Sequence, residues 1–239
     1  MKRILLLAAL AVTLLPVAFS QNMFRGNLTH TGVYDSEGPR QFKGVKWAFQ
    51  TGGPVVSSPT VTDGAAYVGS DDRQLYAVNL ATGKEKWKYK STWVNATPAV
   101  RDGTVYFGTS IPAFFIALDA ATGKERHKFD AHVPVFSSPA LAGGLAYFGS
   151  FSGKFYAVDV NDEKLAWQFQ TEASAKLAPT YLAADGTINY PVVFKSNFFE
   201  DMTRAGARLF ELGAIVSSPV VDHGVVYVGS ADGNLYALE

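Results

Sequence analysis

The stretch V55VSSPTVTDGAAYVGSDDRQLYAVNLATGKEKWKYK90 decides the fold. Apolar residues alternate within "TVT", "LYAVN" and "KWKYK", and "AAYV" is apolar throughout. That pattern is one of four short strands. Asp63-Gly64 separates the first two strands, and glycine's access to positive φ suits a two-residue hairpin turn. A third strand follows "SDDRQ", and "ATGK" turns the chain into a fourth strand ending at Lys90.

The same phrase recurs along the chain. A proline after a small residue stands at Pro59, Pro98, Pro139, Pro179 and Pro219, at intervals of 39, 41, 40 and 40 residues. The hairpin turn recurs at Asp102-Gly103, Gly143-Gly144, Asp185-Gly186 and His223-Gly224, and Tyr67, Tyr106, Tyr147 and Tyr227 keep register. Repeated four-stranded units of this length predict an all-β chain folded as a β-propeller, whose blades bury their faces on one another. The expected blades cover about 55–90, 94–130, 135–171, 175–212 and 215–239. The fourth unit departs most. It lacks the glycine-serine pair and the tryptophan, and Pro191 falls where a strand should run. Residues 204–214 are ambiguous between helix and strand.

The last unit ends at Glu239, after its third strand, while "VKWAFQ" at 45–50 reads as a fourth strand without the other three. The expectation is a five-bladed ring in which Val45–Gln50 completes the C-terminal blade and removes an exposed edge. The alternative is that the sequence is a fragment of a longer propeller.

Residues 1–20 form a separate segment: Lys2 and Arg3, an apolar run broken by Pro16, and Ala18-Phe19-Ser20 as a cleavage signal. This predicts a signal peptide cut after Ser20, and a periplasmic or secreted chain with no later membrane span. A membrane anchor would need a longer apolar run. Residues 21–44 form a leader to the propeller. With no cysteine there is no disulfide framework, thiolate site or lipobox. The 21 basic and 21 acidic residues show no basic cluster of the kind nucleic acid needs.

The segments "LYAVNLATGKEKWKYK" (75–90), "FIALDAATGKERHKFD" (115–130) and the leader "FRGNLTHTG" (24–32) resemble the pyrroloquinoline-quinone (PQQ) propeller superfamily. That superfamily spans quinone dehydrogenases and a non-enzymatic branch containing outer-membrane-protein assembly factor B. The resemblance implies that Trp47, Trp87 and Trp167 dock on a neighbouring blade, with Ala77, Ala117, Ala157 and Ala237 and the turn glycines Gly83 and Gly123 as small partners. His127 stands in place of the second-unit tryptophan, and Asp162-Glu163 in place of Thr-Gly in the third unit.

The quinone enzymes of that superfamily carry more units, a vicinal cysteine pair and an acidic calcium site, and no segment here matches them. His30, His127, His132 and His223 lack metal-ligand spacing. "SDDRQ" and "SADGN" read as turns rather than calcium loops, and the pairs Ser57-Ser58, Ser137-Ser138 and Ser217-Ser218 as strand caps. The expectation is therefore no enzyme, cofactor or metal. Binding is expected in the variable loops at one end of the ring, through Arg73, Trp93, Phe114, Phe151, Lys154, Lys195, Phe198, Phe199 and Glu200. The expected role is a monomeric scaffold that binds protein partners of the cell envelope, including outer-membrane protein assembly, and binds no nucleic acid. The alternative is a sugar or quinone binder at the channel mouth, or a remnant quinone dehydrogenase.

Overall fold

A computed structural model describes residues 23–34, 38–162, 164–193 and 206–239. The expected signal peptide lies outside the described residues, as do Glu163, Lys195, Phe198, Phe199 and Glu200.

Three antiparallel sheets follow the repeat closely. The first contains β1 (Thr60–Thr62), β2 (Ala65–Ser70), β3 (Gln74–Asn79) and β4 (Glu85–Lys90) in that order. The second contains β5 (Ala99–Arg101), β6 (Thr104–Gly108), β7 (Phe114–Asp119) and β8 (Glu125–Asp130). The third contains β9 (Ala140–Ala142), β10 (Leu145–Gly149), β11 (Lys154–Asp159) and β12 (Leu165–Gln170). Both central residues of each first hairpin take positive φ: 48° and 72° at Asp63-Gly64, 49° and 70° at Asp102-Gly103, 58° and 81° at Gly143-Gly144. That conformation matches the twist of the strands it joins.

The fourth unit differs from the expected blade. Where the chain is described it carries helix, α1 (Glu172–Tyr181) and α2 (Tyr190–Val193), with further helical residues at 206–211. Thr171 caps α1, its Oγ1 accepting from the Ser174 amide at 3.2 Å. Pro179, which keeps the repeat spacing, lies inside α1. The expected first hairpin survives as a single bridge between Leu182 and Ile188. The unit builds a small core from Val133, Leu182, Ile188, Val193, Leu209 and Leu212.

A fourth sheet of three strands comes next: β13 (Val220–Asp222), β14 (Val225–Gly229) and β15 (Leu235–Leu238). It packs directly on the third sheet, with Tyr147, Phe155 and Ala157 against Ile215, Val226 and Val228. The inner strands adjoin in the order β1, β5, β9, β13. Residues 171–214 are thus an excursion between the third and fourth sheets. Its ends meet at a neck, where Thr171 Oγ1 donates to the Leu212 carbonyl at 3.4 Å.

Val45–Gln50 forms no assigned strand, and the described residues form an arc of four sheets with no sheet closed by that segment. Trp47 docks on the turn of the first sheet as Trp87 of the first sheet docks on the turn of the second, which is the place of a residue from the preceding unit.

One contact recurs at every junction within the arc. A Cβ placed on Gly69 would lie 2.2 Å from the Val94 carbonyl oxygen, on Gly108 2.3 Å from Val135 Cγ1, and on Gly149 2.1 Å from Ile215 Cγ2. Each glycine ends or nearly ends the second strand of a sheet, and each branched residue enters the next sheet. The Val135 amide donates to the Thr109 carbonyl at 3.0 Å, and the Ile215 amide to the Ser150 carbonyl at 2.9 Å. The repeated serines support this contact. Ser57, Ser137 and Ser217 each accept, through Oγ, from the amides of Gly69, Gly149 and Gly229. Ser138 and Ser218 link neighbouring sheets, accepting from the amides of Thr97 and Ser138.

Gly108→Ala should lower stability by about 1–3 kcal/mol, because a methyl group there overpacks Val135 against fixed backbone. Urea unfolding checks this; an unchanged midpoint would contradict the junction described.

Candidate interaction surface

The turn between third and fourth strands is built from one side chain. Asn79 Oδ1 accepts from the amides of Ala81 and Thr82, both at 3.0 Å, and from Thr82 Oγ1 at 3.1 Å. Asp119 repeats the arrangement with Ala121 and Thr122, and also receives Arg126 at 2.6 Å. The Arg126 hydrogen bond, then those of Thr122, hold the Asp119 carboxyl down at about 2. Asp159 accepts from the amides of Asn161 and Asp162.

This turn exposes backbone to the preceding tryptophan. Trp47 Nε1 donates to the Leu80 carbonyl at 2.9 Å, and Trp87 Nε1 to the Ala120 carbonyl at 3.0 Å. A Cβ on Gly83 would stand 2.6 Å from Trp47 Cγ, and one on Gly123 2.6 Å from Trp87 Cδ2. Only glycine lets the ring lie this close. The alanines have a different place from the one the resemblance implies. Ala77 and Ala157 are the cross-strand partners of Trp87 and Trp167 within one sheet, and Ala117 is the partner of His127. Ala237 is exposed on β15. Trp167 is half-buried between Tyr147 and Phe155.

At His127 the smaller ring leaves a cavity of about 20 Å³ lined by Tyr106, Phe129, Val158 and Val160. In sequence register the residue that would receive a tryptophan here is Glu163, where the other turns have glycine. Glu163 lies outside the described residues, so the pairing of these two departures is an expectation from sequence register.

The variable loops share one end of the arc, where backbone bonds stitch them together: Asp71 amide to Pro54 carbonyl, Ser110 to Trp93, Phe151 to Pro134 and Ala231 to Ala214. Of the aromatic side chains expected there, Trp93 is 41% exposed. Phe114 is half-buried beneath the Lys128 ammonium, 3.8 Å from its ring centre. Phe151 packs edge-on between Phe136 and Phe210. Arg73 is exposed in a tight turn, at φ 69°. Lys154 begins β11 opposite Gln170, beside an open groove of about 550 Å³ formed with Ala175, Ala178 and Pro179 of α1. Sequence reasoning missed Ile111, 46% exposed beside Trp93, whose carbonyl binds the Ser110 amide. Its signal was the apolar residue in a loop, "SIPA", that is otherwise small or polar.

The acidic loops hold tyrosines. Tyr76 donates to Asp72 Oδ2 and Tyr236 to Asp232 Oδ2, both at 2.6 Å. Burial, then the Asp72 hydrogen bond, pushes Tyr76 up to about 12. Among the described residues no three His, Asp or Glu side chains cluster for a metal ion, and no helix is long and apolar enough to cross a membrane.

Antiparallel four-stranded sheets, stacked side by side and locked by tryptophan on a glycine turn, define a propeller-like repeat protein. The family model described as outer membrane protein assembly factor BamB matches residues 43–112 and 90–239. The chain belongs to this PQQ-like repeat family.

Its relatives have differing names. The serine/threonine-protein kinase AfsK of Streptomyces griseus is 30% identical over 238 residues, covering 77% of this chain and 29% of that protein. The dehydrogenase subunit of the quinone alcohol dehydrogenase of Komagataeibacter europaeus is 29% identical over 206 residues, covering 74% of this chain and 28% of that protein. The crystal structure of BamB from Moraxella catarrhalis is alike in fold, with a TM-score of 0.60 at 17% identity over 82% of this chain and 53% of that chain. The chain thus spans less than a third of these two relatives and about half of that structure.

If the His127 and Glu163 departures compensate each other, His127→Trp alone should not stabilise the protein. Together with Glu163→Gly it should recover a favourable coupling of about 0.5–3 kcal/mol. A double-mutant cycle of unfolding free energies checks this, and strict additivity would contradict it.

Proposed function

We propose that this chain is a non-catalytic scaffold of the cell envelope that binds protein partners through the loop end of the arc, in the manner of a factor for outer-membrane protein assembly. The family match and the assembly-factor fold support the envelope setting. The segment at residues 1–20 is read here as an export signal. The observation that carries the binding role is the exposed pair Trp93 and Ile111, in neighbouring loops joined by the Ser110–Trp93 backbone bond. Large apolar side chains on a fixed support are what a binding hot spot requires, since little side-chain order is lost on contact. Trp93, Arg73 and Lys154 keep their candidate roles in this reading, and Phe114 and Phe151 support the surface from beneath.

The quinone relatives raise a cofactor, and the described residues do not fit it. The acidic side chains best placed in loops, Asp72 and Asp232, are held by Tyr76 and Tyr236. The inner edge of the arc is crossed by the leader, where the Val221 amide binds the Leu28 carbonyl and Met23 is buried between the second and third sheets.

The double variant Trp93→Ala, Ile111→Ala should keep the wild-type circular dichroism spectrum and lose about tenfold or more in affinity for its envelope partners. The test is quantitative capture from a solubilised outer-membrane fraction. Equal capture of the same proteins by both forms would overturn the assignment.

A further inference from the structure

A short stretch of the leader fastens the inner edge of the arc. Met23 is buried with Ala99 of β5 and Leu141 of β9, and Leu28 packs on the same cluster. One bond then reaches the fourth sheet, where the Val221 amide of β13 donates to the Leu28 carbonyl at 3.0 Å. Residues 23–32 thus strap the second, third and fourth sheets across their first strands.

The strap is knotted on itself. Asn27 Oδ1 accepts from the Thr31 amide at 3.1 Å and from Thr29 Oγ1 at 3.2 Å, while its Nδ2 donates to Thr31 Oγ1 at 2.7 Å. The amides of His30 and Gly32 donate to the carbonyls of Asn27 and Arg25. Closing so tight a loop holds Arg25 and His30 in the left-handed region, at φ 55° and 48°, where side chains other than glycine are strained.

His30 is the residue this loop encloses. It is 8% exposed and packs edge-on against Phe24, with ring centres 5.4 Å apart. Its Nε2 is buried with no hydrogen-bond partner among the described residues. Burial, then the nearby Arg25 charge, lowers its pKa below the ordinary value of 6.5. The described elements packed on the strap bring no free carboxylate to it. No charged residue lies on β9, Arg101 of β5 is paired with Asp102, and Asp222 of β13 is paired with His223 Nδ1 at 2.9 Å. Tyr106 and Tyr156, in the cluster around Met23, are pushed up by burial and stay neutral.

We propose that residues 23–32 are an acid-released strap, held shut while His30 is neutral and freed when its ring takes a proton. A proton on Nε2 puts a second positive charge beside Arg25 with no acceptor to receive it, and release returns the imidazolium to water. His30 binds fewer protons seated than free. The seated strap is therefore favoured above the ordinary histidine pKa and loses that advantage as pH falls below it. His223 has the opposite sign, because Asp222 raises its pKa, so it does not drive acid release. Release uncovers the inner edges of β5, β9 and β13. The inference does not rest on the scaffold reading.

Hydrogen exchange at the Val221 amide of the full chain reads the strap directly. The Leu80 amide, which donates to the Gly64 carbonyl within the first sheet, is the internal reference. After correction for the intrinsic pH dependence of exchange, protection at Val221 should fall about threefold to thirtyfold between about pH 8 and about pH 5. The upper bound follows from an ordinary pKa of about 6.5. Protection at Leu80 should not change. His30→Asn tolerates the left-handed backbone and cannot take the proton, so it should abolish the pH response at Val221. Arg25→Gln, with His30 kept, should shrink the response, and it decides the matter if the asparagine variant does not seat the strap. Protection at Val221 that ignores pH, or that falls equally at Leu80, would overturn the proposal. So would a full pH response in both variants.

Discussion

The architecture depends on how closely two sheets can approach at one glycine. Where Gly69, Gly108 and Gly149 stand, the next sheet brings a valine or isoleucine into the space a Cβ would fill. A single methyl group at any of these positions pushes against backbone as well as side chain, so the distance between sheets is set there. In the first and third sheets the serine preceding the first strand then fastens the glycine amide, which leaves few buried polar groups unpaired. Tyrosine, tryptophan and alanine fill the remaining space at that fixed separation.

A fixed junction explains why one period of the repeat can be given to helix. The third sheet needs only a branched residue of the right register, and Ile215 supplies it after a long detour. At the neck, Thr171 caps α1 and binds Leu212, while Gly153 and Gly213 let the backbone crowd around its hydroxyl. The detour leaves and returns at one point, so the sheets on either side are undisturbed. It emerges at the loop end of the arc, where variation costs the scaffold least.

Much of the fold was legible in the sequence. The hairpin turns were, since two adjacent residues at positive φ call for Asp-Gly or Gly-Gly, and so were the three complete sheets. The fourth period was misread because it keeps the spacing: Pro179 and Asp185-Gly186 fall on the repeat, while α1 is decided by the Thr171 cap and by burial against Val133 and Phe151. Periodicity carries no record of either. The loop residues were legible only in part for a related reason. Phe114 and Phe151 lie at strand ends, where alternation stops assigning a side, and tertiary contacts turned both inward. The changes at His127 and Glu163 were both in the sequence, and the geometry of Trp87 on Gly123 is what suggests reading them as a pair.

The central claim is that the fourth sheet joins the third through Ile215, in the manner of Val135 joining the second. Native-state hydrogen exchange measures this directly, because both amides donate across a junction, to Ser150 and to Thr109. The account predicts slow exchange at Ile215 and Val135, with opening free energies that match. Exchange of the Ile215 amide at the rate of an open loop, with Val135 still protected, would contradict it.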